Sequence, residues 1–264
     1  MNAQDEHREP SQVSIDTPER TIDEAVHSGS RDDLLRAAGD PALTEDLALA
    51  LLQRADLGAE ALEQLSKNRS LVRLRKVKIA LASHPQTPRH VSVPLIRQFY
   101  TFDLMKVALS PVVPADVKRA ADETLIGRLK TVTLGERVTL ARQGSGRIAG
   151  MLLLDSEERI MRTALENARL TEAFVVQAVL RPEAGAALIQ SVAQHAKWSY
   201  RREVQIALLQ GEHLSLARAL VFAHAISPGR LHEILQTSRL PQRIKEQLGS
   251  ENLLVHGKQK KAIQ

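Results

Sequence analysis

The chain has 264 residues, 43% apolar and 25% charged, with 36 Lys and Arg against 31 Asp and Glu and no cysteine. This is the composition of a globular chain that buries a core in one or two domains, and without cysteine a disulfide scaffold, a cysteine zinc site and an iron–sulfur cluster are excluded. The longest apolar stretch, Ile148 to Leu154, is far too short to span a bilayer, and the polar opening MNAQDEHREP has no signal-peptide pattern. A cytoplasmic protein with no membrane segment is the expectation.

Residues 1–60 hold five arginines against fourteen Asp and Glu, leaving 31 basic and 17 acidic residues in the rest of the chain. An acidic lead therefore precedes a basic body. The first stretch lacks apolar periodicity and includes Pro10, Ser11, Thr17 and Pro18, so residues 1–30 are expected to form a disordered acidic segment. Beyond it, Leu and Ala dominate, and both favour helix. Seven aromatic residues in the whole chain are too few for extensive sheet.

Helix starts follow at Thr44, Pro88 and Pro114, then at Thr171, Ser215 and Pro241. Thr and Ser cap orphan N–H groups, Pro suits a first turn, and early acids suit the positive end of the helix dipole. Apolar residues three or four apart run between the starts, as in Leu71, Leu74, Val77 and Leu81. The total is roughly fourteen helices. Between the halves lies QGSGRIAG, with Gly144, Gly146 and Gly150. No strand precedes it, as a dinucleotide loop requires, so it is expected to be a break. The closing HGKQKKAIQ reads as a solvated basic tail.

A shift of 127 residues aligns the two halves without a gap: LTEDLALALLQRADLGAEALEQL from Leu43 faces LTEAFVVQAVLRPEAGAALIQSV from Leu170, and RKVKIAL from Arg75 faces REVQIAL from Arg202. From Leu43 to Ala121 there are 14 identities in 79 positions. The predicted organisation is a disordered segment (1–30), a helical array (31–125), connecting helices with a Gly-rich break (126–157), a second array (158–252) and a basic tail (253–264).

Segments such as ASHPQTPRHVSVPLI (82–96) and LSPVVPADVKRAA (109–121) resemble HEAT-like repeats, and more closely the leucine-rich-repeat-variant type, in which a polar turn with Pro precedes an amphipathic helix. The chain is also similar to bacterial helical-repeat proteins that carry no implied activity. The resemblance implies an all-α, right-handed helical-repeat solenoid made of two homologous tandem arrays. It implies no cofactor, since the cysteine cluster of some leucine-rich-repeat-variant proteins is absent. In a solenoid each helix pair buries its apolar face against its neighbours and leaves an extended concave surface.

The densest basic run holds Arg69, Arg73, Arg75 and Lys76, with Lys78 beyond. On one helix, Arg69, Arg73 and Lys76 would oppose the Leu71–Leu74–Val77 stripe. The counterpart in the second half is KWSYRRE, where Lys197, Arg201 and Arg202 interleave with Trp198 and Tyr200. Cations with aromatics grip phosphates, stack on bases or hold an acidic peptide. The same residues also suit solvated faces with Trp198 and Tyr200 packed between helices. Histidines show no metal spacing, so no metal site is predicted, and His224 on an apolar stripe reads as a core-edge histidine. No P-loop, nucleophile elbow or HExxH occurs. A resemblance in repeats and charge to the HEAT-like alkylpurine DNA glycosylases would require aromatics and a carboxylate in one cleft, and only Glu203 lies near Trp198 and Tyr200. The expectation is a non-enzymatic scaffold binding an acidic protein partner on its concave surface. The alternative is sequence-nonspecific nucleic-acid binding through the basic helix faces.

Overall fold

A computed structural model describes residues 21–251, which are all-helical, with no strand among the described residues. The chain divides into two compact units that meet in sequence at Val91 and Ser92. The first holds α1 (Ile22–His27), α2 (Arg31–Gly39), α3 (Glu45–Leu52), α4 (Ala59–Lys67), α5 (Arg69–Arg73) and α6 (Arg75–Ser83). The division falls inside α7 (Arg89–Ile96). The second unit holds α8 (Thr101–Leu109), α9 (Ala115–Arg128), α10 (Leu134–Gln143), α11 (Gly146–Leu152), α12 (Glu158–Leu165), α13 (Glu172–Leu180), α14 (Ala186–Gln194), α15 (Arg202–Gln210), α16 (Leu216–His224) and α17 (Pro228–Thr237). Helical backbone returns over 242–251. The helices thus exceed the fourteen expected.

Most of these helices are only eight to ten residues long. Helices that short are marginal alone, so packing of their apolar stripes holds them. In the first unit α1 and α6 both pack on α3, and α2 packs on α4. In the second, α11, α13, α15 and α17 pack in succession, and α10, α12 and α14 form another succession. Leu and Ala fill the contacts, among them Leu51, Leu62, Leu65 and Leu81 in the first unit and Leu140, Ile148, Leu208 and Leu209 in the second.

Helix bounds recur at the 127-residue offset. Ala59–Lys67 corresponds to Ala186–Gln194, and Arg75–Ser83 corresponds to Arg202–Gln210. The starts agree too: Thr44 and Thr171 are the N-caps of α3 and α13, and Gly58 and Gly185 those of α4 and α14. Pro88, Pro114 and Pro241 each stand one residue before the helix rather than inside its first turn.

Several expectations change. Residues 22–27, expected to be disordered, form α1, closed by a Thr21–Glu24 capping box with Ala25 and Val26 buried; residues 1–20 and the basic tail from 253 lie outside the described residues. The Gly-rich stretch separates α10 from α11 at Gly144 and Ser145 and then continues as helix. Gly146 and Gly150 stand one turn apart on α11, where a Cβ would lie 2.2 Å from the Arg169 carbonyl oxygen and 2.9 Å from Phe174 Cβ. Glycine there lets α11 close onto α13 and the turn before it.

Helix ends follow one recurring arrangement. No described residue has positive φ, so no left-handed C-cap closes a helix. C-cap backbone N–H groups instead donate to carbonyls three residues earlier, and side chains add to this at three turns. His84 accepts from Gln86 N–H at Nδ1 (3.2 Å), which places its proton on Nε2 to donate to Arg54 O (2.9 Å). Asn167 accepts from Arg169 N–H and donates to Ala141 O (2.8 Å) and Gly144 O (3.2 Å). Ser238 accepts from Leu240 N–H and donates to Leu209 O (2.6 Å). Each ties a turn to the end region of an earlier helix, 23 to 30 residues back.

Candidate binding site

The basic run of the first unit does not sit on one helix. The chain breaks at Leu74, the C-cap of α5 and N-cap of α6, with extended backbone (φ −73°, ψ 122°). Arg73 and Arg75 therefore flank a kink. Arg69, Arg73, Arg75 and Lys76 are all exposed, and Arg69, Arg73 and Lys76 form no ion pair with another described residue.

In the second unit, Lys197, Arg201 and Arg202 are exposed and Tyr200 is 82% exposed. Trp198 is not part of that surface. It is 2% exposed and donates from Nε1 to Leu165 O (3.0 Å), while the Lys197 ammonium lies 4.1 Å from its ring centroid. Its face is thus already occupied by a cation, and one aromatic, not two, is left for stacking. Residues 196–200 form a turn where the first unit has α5. His224 is exposed rather than a core-edge residue.

The second unit also holds a groove that the charge runs do not mark. Along α9, α11 and α13, Ile126, Met151 and Phe174 line a cavity of about 430 Å³, with Gly150 and Ala178 completing its floor and Arg147, Gln177 and Arg181 at its edge. It continues into a cavity of about 490 Å³ that shares Ile126, Met151 and Arg181 and adds Leu129, Leu154, Lys130, Arg137, Asp155 and Glu183. Four cations and two carboxylates thus line the two cavities together with these apolar side chains.

Two of those cations are engaged. Arg137 donates twice to Asp155 (2.8 and 2.7 Å), and Arg147 lies 3.4 Å from Glu123. Lys130 and Arg181 form no ion pair with another described residue. On α9, Asp122 accepts from the Ser145 hydroxyl (2.8 Å). Burial pushes its carboxyl above the ordinary range, against the Ser145 hydrogen bond and the nearby Arg147 charge.

Arg54 holds the equivalent of Arg181 in the first unit. Its Nε and Nη2 clasp both oxygens of Asp56 (3.0 and 2.7 Å), and its Nη1 donates to Val26 O (3.1 Å). The hydrogen bond from Arg54 holds the Asp56 carboxyl below its ordinary range, and the same bond raises the arginine.

Among the described residues no cluster of three or more acidic, His or Cys side chains could hold a metal ion, and no helix is long and apolar enough to cross a membrane. Compared with family models, curated proteins and solved structures, the chain matches none.

Proposed function

We propose that this chain is a non-enzymatic scaffold of HEAT-like helical repeats, built from two homologous tandem arrays stacked as right-handed solenoids, that docks an acidic protein partner in the cytoplasm. The 14 identities and the helix bounds shared at the 127-residue offset support the duplication. The successive packing of alternate helices supports the stacking. The groove along α9, α11 and α13 carries the docking reading. An apolar floor gives a partner surface to bury, and the surrounding cations select for negative charge.

A second reading, nucleic-acid binding, is favoured by Tyr200, a fully presented ring flanked by exposed Lys197, Arg201 and Arg202. Fluorescence anisotropy separates the two. A labelled peptide rich in Glu and Leu, a random DNA duplex and a single strand are titrated across a salt series with wild type and with Arg201→Ala/Arg202→Ala. The scaffold reading expects the peptide to bind and the variant to bind it as wild type does. Nucleic-acid binding that weakens steeply with salt and falls in the variant, with no peptide binding, replaces it.

A further inference from the structure

The two units place the same arginine in two different states. Arg54 and Arg181 are identical at the 127-residue offset, each just after an equivalent helix, α3 and α13. In the first unit the guanidinium is saturated by Asp56, two residues on, and by the end of α1. In the second unit the counterpart of Asp56 is Glu183, one methylene longer, and the counterpart of α1 is the α11 region, whose Leu152 and Leu154 line the groove beside Arg181. Here the arginine makes no side-chain hydrogen bond or ion pair with any described residue.

We propose that Arg181 is the carboxylate anchor of the groove, and that the ligand is an acidic peptide segment placing an apolar side chain on Ile126, Met151 and Phe174 and an Asp or Glu in the Arg181 fork. The inference rests on the scaffold reading and names what that scaffold takes. Arg54 shows the fork this repeat position offers, two parallel N–H···O bonds to one carboxylate, and a planar guanidinium is suited to repeat it with a carboxylate from outside. Lys130, on the same groove and in no ion pair with another described residue, extends the positive field along the chain of the ligand. Met151, unbranched and polarisable, adapts to aliphatic or aromatic side chains alike. Gly150 matters to the floor because its missing side chain lets Phe174 approach α11, so that ring and helix backbone form one surface.

The test uses the full chain and labelled peptides of alternating Leu and Glu, alternating Leu and Gln, and Glu with Ser in place of Leu, read by anisotropy at low and physiological salt. Four variants are compared: Arg181→Met, which keeps the stem and removes the fork; Met151→Glu, which charges the floor; Arg54→Met; and Arg201→Ala/Arg202→Ala. The Leu–Glu peptide should bind best, and loss of one charge-assisted contact in Arg181→Met should weaken it about tenfold or more. Met151→Glu should abolish it, and Arg201→Ala/Arg202→Ala should leave it unchanged. Far-UV circular dichroism checks that each variant is folded, and Arg54→Met, folded but with wild-type affinity, shows that the effect belongs to the groove. If the Leu–Glu peptide binds wild type but Arg181→Met and Met151→Glu bind it equally well, the groove assignment is overturned while the scaffold reading stands. If no acidic peptide binds at low salt, both fall.

Discussion

Gly146→Ala isolates the packing of α11. A methyl at this position would sit 2.2 Å from the carbonyl oxygen of Arg169 and 3.1 Å from its carbon, where ordinary contact begins near 3.4 Å. The obstacle is backbone, so the turn before α13 must retreat by about an ångström or α11 must tilt. Overpacking of this kind costs about 1–3 kcal/mol. The helix-propensity gain of alanine, about 1 kcal/mol, works against it, so a net loss of roughly 1 kcal/mol is expected. Gly127→Ala and Gly135→Ala supply the control: both sites are helical with nothing within 4 Å of the added methyl. They should stabilise by about 0.5–1 kcal/mol. Urea unfolding followed through tryptophan emission reads the correct unit, since the single tryptophan, Trp198, is buried in the second one. With a typical urea slope of about 2 kcal/mol/M, the Gly146→Ala midpoint should fall by roughly 0.5 M and the control midpoints should rise. A Gly146→Ala midpoint at or above wild type refutes the close approach of α11 to the turn before α13.

Three further outcomes follow from single contacts. Asn167→Ala strands the carbonyls of Ala141 and Gly144 and the Arg169 N–H in a buried turn, and should lower stability by about 2–3 kcal/mol in the same urea assay. Thr133→Ala opens the capping box in which Thr133 and Glu136 bond each other's backbone N–H, costing about 1 kcal/mol and speeding amide exchange in the first turn of α10. Asp122 binds its proton more tightly folded than unfolded, so its contribution to stability grows as pH falls from neutral through the raised folded value, and is complete below the ordinary value of 3.8. Asp122→Asn keeps the acceptor for Ser145 and should raise the neutral-pH midpoint while leaving the acid midpoint unchanged; an equal shift at both pH values contradicts the burial of a charged carboxylate.

The helical class and many helix starts are legible because Leu, Ala and capping residues recur with local periodicity, and local periodicity is what short helices need. The break at Leu74 is not legible from its own segment. Leu71, Leu74, Val77 and Leu81 continue a helical stripe without glycine or proline, yet the backbone turns extended at Leu74. The counterpart half carries the signal: Arg201, the residue aligned with Leu74, is likewise an extended N-cap, and the five residues before it form a turn. The groove escapes for a different reason. Its cations come singly from the turn after α9, from α10 and α11, and from the C-cap of α13, whereas a scan for charge density favours runs such as Arg69–Lys78. Arg54 and Arg181 are identical under the 127-residue shift, but that identity gains meaning only once one of the pair is seen to be saturated.

The excess of basic residues after residue 60 is therefore a poor measure of a binding surface. A chain of nine-residue helices ends often, each end leaves several carbonyls without intrahelical partners, and no described residue of positive φ closes them. Arginine and lysine fill that need: Arg128 donates to Phe99 O (2.7 Å) and Arg97 O, Arg169 to Gln143 O (3.3 Å), Arg239 to Leu180 O (3.2 Å) and Lys245 to Ser238 O (2.6 Å). Removing such a cation exposes a helix end, so Arg128→Met should lower the urea midpoint and leave affinity for a Leu–Glu peptide as it was. Arg181→Met should do the reverse, because that guanidinium holds no helix end. If both variants lose affinity in proportion to stability, binding follows the integrity of the fold and no single cation anchors the ligand.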